Sequence, residues 1–139
     1  MNDVLLNKKV SIERCVQQIN RYYHMETGLP FADDRLRQDA VAMNLQRAAE
    51  LTIDIANHLI KLRKLGLPRD SRESFFLLEQ AGLIDTEMMR KLQGMVGFRN
   101  ILVHEYQKMD MAIMVEVIEH HSQDLLAFAT HALTMADQT

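Results

Sequence analysis

The chain has 139 residues, 47% of them hydrophobic, with a net charge of −3 and a pI near 6.0. That length fits one helical domain over residues 1–139, and that hydrophobic fraction fills a core, which argues against intrinsic disorder. The acidic balance argues against a domain that coats nucleic acid by bulk charge, although a local basic site stays open.

One cysteine, Cys15, excludes an internal disulfide and makes a cysteine-based zinc site improbable. The opening "MNDVLLNKKV" carries an apolar patch of three residues, too short for a signal peptide, and no segment approaches the roughly 20 apolar residues of a membrane span. A reducing, cytoplasmic setting is expected. No metal and no cofactor are expected.

In chain order, the apolar pattern has the period of a helix throughout, with no alternating strand. Ile12, Val16, Ile19 and Tyr23 step by 4, 3 and 4 in a first helix, stopped by Gly28 and Pro30. A second helix starts near Asp33, a good N-cap type, and carries the stripe Val41, Leu45, Ala48, Thr52, Ile55, Leu59 and Leu62 until Gly66 and Pro68. A short third helix runs from about Ser71 to Ala81 before Gly82. The fourth starts at Asp85, and its stripe Met88, Leu92, Met95, Arg99 and Leu102 contains an arginine. A fifth starts near Asp110 with the stripe Met114, Ile118, His121, Leu125, Phe128, Ala132 and Met135. The expected fold is all-α: an up-and-down bundle of four main helices plus a short one. Leu51, Ile53 and Ile60 lie off the main face of the second helix, where either a homodimer or a second internal contact would bury them.

The stretch "RNILVHEY", residues 99–106, concentrates the chemistry. Arginine presents a planar, permanently charged fork that fits phosphate oxygens. Histidine gives or takes a proton near neutral pH. Together they suffice for RNA cleavage without a metal: His104 handles the proton of the 2′-hydroxyl or of the leaving 5′-oxygen, and Arg99 stabilises charge on the phosphorus-centred transition state. Tyr106 could position the phosphate or stack on a base. On a regular helix Arg99 and His104 point about 140° apart. Convergence therefore requires the helix to end near Val103 or His104, or two chains to bring two copies together. An arginine in an apolar stripe is also compatible with a purely structural ion pair, and a histidine after a helix with a simple cap.

"GFRNILVHEY", together with "RAAELTIDIANHLI" (47–60) and "SFFLLEQAGLIDTEMMRKLQGMVGFRN" (74–100), resembles the HEPN superfamily in its HepT toxin branch. The resemblance covers about residues 44–110. It implies a dimeric, metal-independent endoribonuclease acting on mRNA or tRNA, with Arg99 and His104 catalytic at a cleft between protomers and Asn100 supporting them. It also implies an MNT-type nucleotidyltransferase antitoxin that transfers AMP to Tyr106. The other reading compatible with the family is a non-catalytic helical module that binds a nucleotide or such a partner.

Four weaker features remain. His120 and His121 with Glu119 make a poor chelate, since adjacent helical residues point about 100° apart, and His121 reads as a satisfied core histidine. Asp54 and His58, at i and i+4, are spaced to touch. Lys61, Arg63 and Lys64 head a basic helix end that could hold an RNA backbone. The tail "MADQT" carries no signal.

Overall fold

The structure, a computed structural model, describes residues 2–137. Six α-helices form it: α1 (Asp3–His24), α2 (Arg35–Arg63), α3 (Ser71–Gln80), α4 (Thr86–His104), α5 (Met111–His120) and α6 (Ser122–Asp137). Short 3-10 turns at Phe31–Asp33 and Tyr106–Lys108 link α1 to α2 and α4 to α5. The described residues contain no strand, in agreement with the all-α expectation.

Side-chain caps fix where most of the helices begin. Asn2, Asp34, Asp70, Asp85 and Asp110 each accept a backbone N–H in the first turn of the helix that follows, satisfying a donor with no intrahelical partner. The cap of α2 is therefore Asp34; Asp33 ends the preceding 3-10 turn. The 29-residue α2 is the shared wall of the bundle, packed against α1, α3, α4 and α6. Its stripe Val41, Leu45, Ala48, Thr52, Ile55 and Leu59 is buried as expected, while Leu62, in the last turn, is 40% exposed. Ile53 and Ile60 are buried in the protomer's own core, which settles them as an internal contact face.

The sequence reading missed the buried arginine at the start of α2. Arg37 donates from Nε to Asp34 Oδ2 at 2.8 Å, from Nη1 to the carbonyls of Tyr22 and Tyr23 at 3.2 and 2.9 Å, and from Nη2 to that of Leu29 at 2.6 Å. One guanidinium thus ties the end of α1 and the following loop to the cap of α2. The Thr27 hydroxyl, at 2.5 Å, and then the Arg37 guanidinium hold the Asp34 carboxyl below its ordinary range.

The fifth predicted helix is two helices. The chain breaks at His121 (φ −124°, ψ −17°), where the Ser122 hydroxyl donates to the Ile118 carbonyl at 3.0 Å, a back-bond that bends helices. Met114, Ile118, Leu125, Phe128, Ala132 and Met135 stay buried across the break. The His121 ring leaves the stripe: it is 40% exposed and lies 3.4 Å from Asp124 Oδ2 and 3.9 Å from Glu116 Oε1, so it is not a core histidine.

Arg37→Met should lower the free energy of unfolding in urea by about 3–5 kcal/mol at neutral pH, because it leaves Asp34 and three carbonyls without their buried partner. Since the folded state holds Asp34 at a lowered pKa, the part of this contribution that rests on the Asp34 carboxylate is present above the ordinary carboxylate range and is lost as pH falls through the lowered one, while the bonds to the three carbonyls remain.

Candidate functional site

The α4 helix runs to His104 and stops there. Glu105, at φ −140° and ψ 29°, leaves helical geometry while its N–H still bonds the Ile101 carbonyl at 2.8 Å. The chain then makes the 3-10 turn Tyr106–Lys108, and Asp110 caps α5 two residues later. A helix end at His104, one of the two alternatives the sequence left open, is therefore observed, but it does not bring the motif side chains together: it separates them into three environments.

Arg99 leans across to α2. Its Nη2 lies 3.6 Å from Glu50 Oε2, its Nη1 donates to Asn100 Oδ1 at 3.1 Å, and its buried Nε has no hydrogen-bond partner among the described residues. His104 is exposed at the helix end, and no described hydrogen bond joins it to Arg99. Tyr106 is turned back toward the first turns of α2, where its hydroxyl donates to Asp39 Oδ1 at 2.6 Å. The same carboxylate oxygen accepts Arg35 Nε at 3.0 Å, and the Arg35 guanidinium stands 5.3 Å from the centre of the Tyr106 ring. Partial burial, then the hydrogen bond and charge of Asp39, raise the Tyr106 phenol above its ordinary pKa, with Arg35 opposing.

Of these groups, Asp39, Glu50 and Tyr106 border a groove of about 460 Å³, completed by Ala42, Met43, Gln46, Arg47 and Leu102; Arg99 and His104 are not among its lining residues. Asp39, Met43, Gln46 and Glu50 step by 4, 3 and 4, one face of α2. Of these only Met43 is apolar. That polar stripe, parallel to the buried one, is the signal by which the sequence could have yielded Asp39 and Glu50. Around the motif, Leu36, Met43, Ile101, Val103 and Ile113 are exposed apolar residues.

A family model described as ribonuclease HepT-like matches residues 12–132. The chain belongs to this family. It is 44% identical over 128 residues to the mRNA nuclease HepT of Shewanella oneidensis, covering 92% of this chain and 95% of that one. A solved toxin–antitoxin structure with AMP-PNP superposes with a TM-score of 0.89 at 41% identity, over 96% of this chain and 99% of the other. A tri-AMPylated Shewanella oneidensis HEPN toxin in complex with MNT antitoxin superposes equally well, at 0.89 and 42% identity over the same shares.

The remaining sequence candidates sit elsewhere in this HepT-like fold. Asp54 pairs with Lys8 at 3.6 Å and His58 with Asn2 at 3.1 Å, so the two anchor α1 to α2 instead of touching each other. Arg63 donates from Nη2 to the Met135 carbonyl at 2.7 Å and fastens the end of α6, while Lys61 and Lys64 are exposed. His120 lies 3.9 Å from Glu116, and among the described residues no group of three or more His, Cys, Asp or Glu could hold a metal ion.

In a Tyr22→Phe, Tyr23→Phe background, spectrophotometric titration should show Tyr106 ionising above the ordinary tyrosine pKa of about 10. Adding Asp39→Ala removes the accepting carboxylate and its charge, so that ionisation should move to lower pH.

Proposed function

We propose that this chain is the toxin of a toxin–antitoxin pair, an endoribonuclease that needs no metal and works in the cytoplasm as a homodimer. The observation that carries this reading is a motif whose arginine keeps a buried, unpaired Nε and whose histidine stands exposed at the end of the same helix, in a chain of the HepT-like family. The mRNA nuclease HepT of Shewanella oneidensis, alike over 92% of the chain, supports RNA as the substrate.

Arg99 stabilises the negative charge that builds on the equatorial phosphate oxygens as the 2′-hydroxyl attacks. His104 moves the proton, either from that hydroxyl or to the leaving 5′-oxygen. Asn100 accepts from Arg99 and so helps to hold its fork in place. Within one protomer the arginine faces α2 and the histidine faces solvent, so the pair is completed by a second copy. The exposed Ile101 and Val103, between the two motif residues, supply apolar surface for that contact. Lys61 and Lys64 lie about 16–21 Å along the α2 axis from Glu50, where they would hold the RNA backbone beyond the cut. Arg63 supports that end of the helix through Met135.

Control comes from an MNT-type nucleotidyltransferase antitoxin that adds AMP to the Tyr106 hydroxyl. The solved tri-AMPylated HEPN toxin with MNT antitoxin supports this partner. Each AMP brings a phosphate charge beside Arg35 and occupies the groove an RNA phosphate would use.

Unmodified protein should cleave total cellular RNA in EDTA. Arg99→Ala and His104→Ala should each reduce the cleavage rate by about 100-fold or more while keeping the native circular dichroism spectrum. If cleavage instead tracks added divalent metal, or survives both substitutions, the proposal fails. Charge reversal of Lys61 and Lys64 should weaken RNA binding and flatten its salt dependence, with the chemical step intact.

A further inference from the structure

The Tyr106 hydroxyl is already hydrogen-bonded, before any partner arrives, to a carboxylate oxygen of its own chain. The acceptor, Asp39, is one turn along α2 from Arg35, which grips the same Oδ1 at 3.0 Å and stands against the tyrosine ring. The other charged groups near this hydroxyl are Arg47 and Glu50, from the α2 wall of the groove, and His104 and Glu105, just before the tyrosine in sequence; from α4, Arg99 is engaged with Glu50. Of these, only Asp39 is bonded to the phenol in this structure.

Resting on the reading of Tyr106 as the AMP acceptor, we propose that Asp39 is the general base for its own chain's modification, held in place by Arg35. A phenol is a weak nucleophile until its proton leaves, and here the proton is retained more firmly than usual. A base already 2.6 Å from the oxygen removes that obstacle. In the step, the Tyr106 oxygen forms a bond to the α-phosphorus of ATP. The bond from that phosphorus to the bridging oxygen breaks, and pyrophosphate leaves with the electron pair. The phenolic proton passes to Asp39 Oδ1. Because the Asp39 side chain is 49% exposed, it returns that proton to solvent. The product is a phosphodiester of charge about −1 beside Arg35. The modified tyrosine has no hydroxyl left to donate to Asp39, so Arg35 can turn from the carboxylate to the phosphate. The toxin therefore supplies both the nucleophile and the base, and its partner supplies bound, oriented ATP.

The test is the rate of AMP transfer to the full chain by its nucleotidyltransferase partner, followed with ATP labelled at the α-phosphorus across about pH 6 to 9. Asp39→Asn keeps an oxygen that can accept the phenol but cannot take its proton. Its rate should fall by about 100-fold near pH 7 and climb about tenfold per pH unit, since attack must then await the phenolate. Wild type should be nearly flat over that range, and Asp39→Glu, which keeps a carboxylate, should restore the flat profile. An Asp39→Asn rate and profile matching wild type would overturn the assignment of Asp39 while leaving Tyr106 as acceptor. Labelling that persists in Tyr106→Phe, or no labelling of wild type, would instead overturn the reading on which the inference rests.

Discussion

The arrest of α4 at His104 sets the geometry of everything around it. One more helical turn would return Tyr106 to roughly the face of Arg99, away from its place beside Asp39. Instead Glu105 leaves the helix, a single 3-10 turn reverses the chain, and Tyr106 lands on Asp39. No glycine or proline enforces the stop. Two competing contacts do: the Tyr106 hydroxyl bonds Asp39, and the Asp110 side chain caps α5 by accepting the Ala112 N–H at 2.9 Å. The break leaves an exposed histidine at a helix end and a tyrosine on a neighbouring helix, five and seven residues after an arginine that points elsewhere.

That arrangement needs α2 as a fixed reference. Its buried stripe locks it to four other helices, and its polar stripe offers Asp39 and Glu50 to the motif three turns apart. Rotation of α2 about its axis would spoil both pairings at once. The Arg37–Asp34 pair, buried at the helix start and bonded to three carbonyls, resists such rotation. Stability at the N-terminal end of α2 and chemistry at the motif are thus joined along a single helix.

Much of this was legible in the sequence because helix period, cap residues and Gly or Pro stops are local signals. Asp70 and Asp85 begin α3 and α4 as their types suggest, and the break after "RNILVH" is one of the two alternatives that the motif's angles left open. What escaped was decided between elements. His121 left its stripe because Ser122 turned back on Ile118, an alternative that spacing does not encode. Asp54 and His58 found partners on α1, and Arg63 found a carbonyl on α6, so neighbours in sequence were not neighbours in bonding. Asp39 and Glu50 were not singled out, because the groups that meet them, Tyr106 and Arg99, come from a distant part of the chain.

Arg99 faces α2 and His104 faces solvent, so the central claim is that a working site joins the arginine of one protomer to the histidine of its partner. Co-expressing the Arg99→Ala and His104→Ala chains and assaying RNA cleavage by the mixed dimers tests it directly. Each chain alone should be inactive. The mixture should recover about a quarter of wild-type activity, the yield of one intact site in half of the dimers. A mixture as inactive as its components would contradict a site shared in this way and return the chemistry to a single protomer.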